Sequence, residues 1–128
     1  MCPNGKKLVV VVDDNENLAA SLAIAFENIP GVDASIAHHP AQALRLIVEN
    51  DQRVAAIVTD LNLPEVDGFE LIGRIRRLDR YRNLPAILIS AEENLVNPNG
   101  SILNTPNAIF RKPFSIKEVC RVLEELLA

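Results

Sequence analysis

Five polar side chains each stand where an apolar run of this sequence stops. Asp13 and Asp14 follow residues 8–12, Asp60 follows 54–59, Ser90 follows 86–89, and Lys112 closes 108–111. Carboxylates gathered in one place repel, so one of them must hold a proton or a cation must sit among them. Hard oxygen ligands that leave the cage incomplete suit Mg²⁺, which keeps waters and shares its sphere with phosphate. A lysine contributes a compact positive charge and a serine a hydroxyl donor, together a set suited to phosphoryl oxygens. Converged, the five residues would make an aspartate that takes up or releases a phosphoryl group beside a magnesium ion.

Convergence demands a fold that brings these chain positions to one rim. Residues 8–12 (Leu-Val-Val-Val-Val) are apolar and largely β-branched, as in a strand buried on both faces. Leu18, Leu22, Phe26 and Ile29 then recur at helical spacing until Pro30-Gly31. Residues 32–37 alternate loosely and suit a strand nearer the sheet edge. Pro40 suits the first turn of a second helix, with Leu44, Ile47 and Val48 expected inward. Residues 54–59 repeat the buried-strand pattern, and Pro64 and Gly68 punctuate the loop behind Asp60. Phe69, Ile72, Ile75 and Leu78 mark a third helix, and Pro85 leads into a fourth strand ending at Ser90. Residues 108–111 read as a fifth strand. Ser115-Ile116-Lys117-Glu118 forms a capping box for a last helix whose apolar face is Val119, Leu123, Leu126 and Leu127.

Strands alternating with helices need crossover connections, which give a parallel sheet covered on both faces. Ligands collect outside the carboxyl ends of such strands, where all five residues would lie. With 128 residues the chain is expected to be one domain, 1–128, with 1–7 as an N-terminal tail and no room for a second domain. It is 48% hydrophobic and 23% charged, which argues against disorder. A net charge of −4 weighs against nucleic-acid binding through bulk charge, and no DNA-binding domain is expected in this chain. Cys2 and Cys120 form neither a disulfide framework nor a metal pattern, which suits a reducing cytoplasm. The apolar run after Lys6-Lys7 is too short for a signal peptide, and nothing reaches membrane-spanning length.

Taken in order, the pair Asp13-Asp14, Asp60 with Pro64 and Gly68 behind it, Ser90-Ala91, and Lys112-Pro113-Phe114 resemble the receiver domain of bacterial two-component response regulators. The resemblance runs from Leu8 through the last helix. It implies a flavodoxin-like, doubly wound five-stranded parallel sheet of order 2-1-3-4-5. It also implies that Asp60 is the phosphoacceptor, receiving its phosphoryl group from a sensor histidine kinase or a histidine phosphotransfer protein. Asp13, Asp14, Asp60 and the backbone carbonyl of Asn62 would hold Mg²⁺. Lys112 would pair with a phosphoryl oxygen and the Ser90 hydroxyl would move toward it. Asn62 and Glu92 stand where the family tunes the lifetime of its acyl phosphate. The domain would catalyse its own phosphorylation and dephosphorylation rather than act as a conventional enzyme. It would switch contacts with a downstream protein or a second copy of itself. The Lys112-Pro113 bond is a candidate cis peptide.

The chain departs from the family in two places. Receivers commonly carry Tyr or Phe three residues before the lysine, where this chain has Ile109, while Phe110 should point to the opposite face. Between strands four and five, residues 92–106 hold Pro98, Gly100 and several Asn, so the helix that the family places there is expected to be irregular, shortened or broken near Pro98.

Other signals read as structural. Arg74, Arg76, Arg77, Arg80 and Arg82 suit the solvated C-terminal end of the third helix. His38-His39 suit a loop or helix start better than a metal site, and Cys120 reads as a small core side chain. The competing enzyme reading is an aspartate-dependent phosphatase of the haloacid dehalogenase type. That family expects a second Asp two residues after the nucleophile, where this chain has Asn62. A degenerate receiver serving only as an interaction module would have lost a rim carboxylate or the lysine, and none is lost. The sequence also fits a receiver belonging to a longer regulator or hybrid kinase.

Overall fold

A computed structural model describes residues 6–92 and 101–128 of the chain. Five strands, β1 (Lys7–Val12), β2 (Val32–Ala37), β3 (Val54–Asp60), β4 (Ala86–Ser90) and β5 (Ala108–Arg111), form one sheet in the order β2-β1-β3-β4-β5. Every neighbouring pair is parallel. Four α-helices accompany it among the described residues: α1 (Glu16–Glu27), α2 (Pro40–Glu49), α3 (Gly68–Arg76) and α4 (Ile116–Leu127), with a 3₁₀ turn at Asp79–Tyr81.

Residues 8–12, 54–58 and 86–89 of the inner strands are unbroken apolar runs because both faces are covered. On one face Leu8, Val10, Val12, Ile57 and Leu88 pack against Ala43 and Ile47 of α2 and Phe69, Ile72 and Ile75 of α3. On the other, Val9, Val11, Val58, Ile87 and Ile89 pack against Leu22 and Phe26 of α1 and Val119 and Leu123 of α4. Such side chains contribute about 1.5–3 kcal/mol each on burial, so the two apolar layers dominate the stability of the fold.

Caps start the helices where the side chains allow. Asn15, His39, Asp67 and Ser115 each accept a hydrogen bond from a backbone N–H in the first turn of α1, α2, α3 and α4. The His39 cap agrees with the helix-start reading, and Pro40 occupies the first turn as expected. The Lys112–Pro113 peptide is cis.

Three burial assignments need correction. Val48 is 67% exposed, because α2 turns Ala43 and Ile47 to the sheet instead. Leu78 is 43% exposed, since α3 ends at Arg76 and the chain turns away. Arg76, read as solvated, is 7% exposed. It lies one position after Ile75, and the backbone carbonyls around it replace solvent. Pro98 and Gly100, on which the broken-helix expectation rests, lie outside the described residues. On the described side of that connection, residues 101–105 form turns rather than a helix, with Asn104 N donating to Ser101 O and Thr105 N to Ile102 O. Among the described residues no helix is long and apolar enough to cross a membrane.

Candidate functional site

The candidate site lies at the carboxyl rim, around the ends of β1 and β3. Asp13 N donates to Ala37 O over 3.0 Å, carrying the β1–β2 pairing one residue past the strand. Asp13 Oδ1 then accepts from Asn15 N at 2.9 Å, while Asn15 caps α1 by accepting from Leu18 N at 3.0 Å. The acidic turn is thus held between a strand end and a helix cap. His38 Nδ1 adds a contact of 3.2 Å to Asp13 O. Asp13 is buried and Asp14 exposed.

Asp60 is the last residue of β3 and sits beside Ile89 of β4. The pairing continues past it, because Leu61 N donates to Ile89 O at 2.8 Å. Thr59 Oγ1 donates to Asp60 O at 2.9 Å. The loop behind folds tightly under the rim, with Gly68 N donating to Leu61 O at 2.8 Å. A Cβ on Gly68 would stand 2.5 Å from Leu88 Cδ1 and 2.6 Å from Asp60 O, so only glycine allows this approach. Lys112 N donates to Ser90 O at 2.7 Å, which locks the end of β5 to the end of β4. From there Lys112 Nζ reaches to 3.5 Å from Asp60 Oδ1.

Asp13, Asp14 and Asp60 each bring a carboxylate oxygen within 4.8 Å of the others. Burial holds the Asp60 carboxyl above its ordinary range, the Asp13 charge pushes it further up, and Lys112 pulls it down. Burial likewise raises Asp13, against the Asn15 N–H and Lys112. Clustered hard oxygens that repel one another, open to solvent through Asp14, fit a divalent hard cation. Lys112 pairs with Asp60, while Asp14 is exposed to solvent.

Of the residues singled out in the sequence, Asp13, Asp14, Asp60 and Lys112 meet. Ser90 is fully buried on the same rim, and its Oγ accepts from Glu92 N at 2.9 Å, turned into its own bend. Asn62 and Glu92 are exposed in the first turns after β3 and β4. Ile109 is 46% exposed on the β5 edge, while Phe110 packs on the α1–α4 side as its alternation requires. Sequence reasoning passed over Thr59 and the Asn15 cap. The signal for Asn15 was present, as an Asn directly before a helical pattern.

A doubly wound parallel sheet takes its ligand outside the carboxyl ends of its strands, and here that rim carries an acidic group beside a lysine. A profile of the response regulator receiver domain matches residues 9–124. The chain therefore belongs to the response regulator receiver family. It is 26% identical to a chemotaxis protein CheY homologue of Campylobacter jejuni over 119 residues, 93% of this chain and 91% of that one. It is 30% identical to the transcriptional regulatory protein PrrA of Mycobacterium tuberculosis over 93% of this chain but 49% of that protein. It therefore spans about half of that relative's length. Among solved structures, the receiver domain of the Francisella response regulator 1452 superposes with a TM-score of 0.78 at 30% identity, covering 95% of this chain and 97% of that one. The phosphatase reading finds no support, and the chain is a receiver domain of two-component signalling.

Proposed function

We propose that Asp60 is the phosphoacceptor of this receiver. The observation that carries the reading is the convergence of Asp60 with two further carboxylates inside 4.8 Å and with Lys112 Nζ at 3.5 Å. An Asp60 carboxylate oxygen attacks phosphorus of a phosphohistidine on a sensor kinase or phosphotransfer protein. The P–N bond breaks, its electron pair stays on the imidazole nitrogen, and an aspartyl phosphate forms. Lys112 withdraws from Asp60 toward a phosphoryl oxygen, exchanging one anionic partner for another. Asp13, Asp14, Asp60 and the carbonyl of Asn62 would hold Mg²⁺, whose chemistry there is to neutralise charge on the phosphoryl oxygens during in-line displacement.

The Ser90 hydroxyl, which accepts from Glu92 N before transfer, donates a hydrogen bond to a phosphoryl oxygen afterwards. Glu92 and Asn62, exposed in the turns after β4 and β3, set the phosphate's lifetime. With Ile109 at the edge of β5, an aromatic ring at that position plays no part in this chain's switch. The output is altered contact with a downstream protein or a second copy, in the cytoplasm, whether the receiver acts alone or within a longer regulator. Acetyl phosphate with Mg²⁺, read by intact mass, should add one phosphate to the wild type and none to Asp60→Asn. Chelating the metal should stop the reaction. Equal labelling of the mutant rejects the assignment.

A further inference from the structure

At the amino-terminal end of the sheet, roughly 15 Å and one strand length from Asp60, Arg76 organises a second polar centre. Its Nε and Nη2 donate to Leu84 O at 3.0 and 2.9 Å, just before β4 begins. Its Nη1 donates to Leu103 O at 3.1 Å and to Thr105 O, both in the segment that leads into β5. Nη2 also donates to Asn107 Oδ1 at 2.8 Å. That same oxygen accepts from Ala86 N at 2.8 Å, and Asn107 N returns a bond of 2.8 Å to Ala86 O. One buried guanidinium thus ties α3, the approach to β4 and the approach to β5 together, through neutral oxygens only. Alongside it, buried Asn104 lies against Gly73 so closely that a methyl group there would run into its amide.

We propose that Arg76 is the fixed point of the switch in this receiver. It fastens residues 101–107 and the start of β5 to α3. A charge change at the carboxyl rim then acts on the Ser90 end of the β4–β5 connection while this arm stays docked. A planar fork with five donors suits the task, since four acceptors on two chain segments must be met at once. The fixed arm also accounts for what Ile109 lacks. The β5 strand is held at Asn107 below and at Lys112 above, so its backbone registers a pull at the rim without a swinging ring.

The phosphorylated half of this proposal rests on Asp60 being the acceptor, and the unphosphorylated half does not. Hydrogen exchange read by mass spectrometry, with α1 as internal standard, separates them. Without phosphate, Arg76→Gln should speed exchange across 101–107 by about tenfold or more, through local opening. Asn107→Asp should slow it, because the carboxylate keeps both accepted bonds and adds a charge facing the guanidinium. Both variants should take phosphate on Asp60 at the wild-type rate. On phosphorylation of the wild type, 88–92 should change while 101–107 stays within about twofold. Should Arg76→Gln fail to fold, Gly73→Ala, which wedges Asn104 away, should produce the same opening. Faster exchange in Asn107→Asp overturns the clamp. A phosphate-driven rise in 101–107 as large as that of Arg76→Gln overturns the fixed point. A wild type that takes no phosphate defeats the acceptor reading and the switch with it, while the unphosphorylated comparison still decides the clamp.

Discussion

Removing one of the three rim carboxylates should stabilise the metal-free protein, and Asp13→Asn is the cleanest way to do so. The amide oxygen can still accept from Asn15 N, so the acidic turn keeps its shape and loses only charge. Two unit charges no more than 4.8 Å apart repel by about 3.5 kcal/mol or more at an effective dielectric of about 20. Asp14 is exposed and its share is screened, and the lost attraction between Asp13 and Lys112 offsets part of the gain. A net stabilisation of about 1–2 kcal/mol remains, or roughly 3–8 °C in Tm for a domain of this size. The sign with pH follows from the raised carboxyls of Asp13 and Asp60. Their folded pKa values lie above the unfolded value, so the penalty is fully present above the folded values. It fades as pH falls from them toward the ordinary value of 3.8, because the native state binds protons first. Urea denaturation in EDTA should therefore show Asp13→Asn ahead of wild type at pH 7, with the gap closing toward pH 4. Saturating Mg²⁺ should reverse the order, since ligand binding stabilises only the protein that keeps its ligands. A variant no more stable than wild type at pH 7 in EDTA, or a gap that ignores pH, would refute the electrostatic account.

Two further outcomes follow from the same rim. Lys112→Ala should bind Mg²⁺ as tightly as wild type or slightly tighter, because a cation 3.5 Å from Asp60 opposes another, yet should blunt the change that follows phosphorylation. A metal titration showing much weaker affinity would contradict it. Gly68→Ala should cost about 1–3 kcal/mol, as its methyl group meets Leu88 and the Asp60 carbonyl and the loop must shift. Chemical denaturation at wild-type stability would show that the β3–α3 loop yields freely.

The five strands and the rim were legible because each rests on local pattern. Unbroken β-branched runs mark strands covered on both faces, and the polar residue that stops each run marks its carboxyl end. Parallel connections then force Asp13, Asp60, Ser90 and Lys112 to one edge whatever the details of packing. The amino-acid sequence therefore determined the parallel sheet, the acidic group and the lysine on its rim, while the order of the strands came from the resemblance to receivers. Only the tertiary structure decided the fate of Arg76. Arg76 falls four residues after Ile72 and seven after Phe69, in phase with the buried face of α3, but helical phase alone does not bury a charge. The answer depends on carbonyls at Leu84, Leu103 and Thr105 that chain folding brings together from distant segments. The same holds for Val48, whose helical phase was compatible with burial, while packing on the sheet buried Ala43 and Ile47 of α2 instead. Patterns along the chain specify which face an element offers, but a buried charge is specified by the acceptors that other segments bring to it.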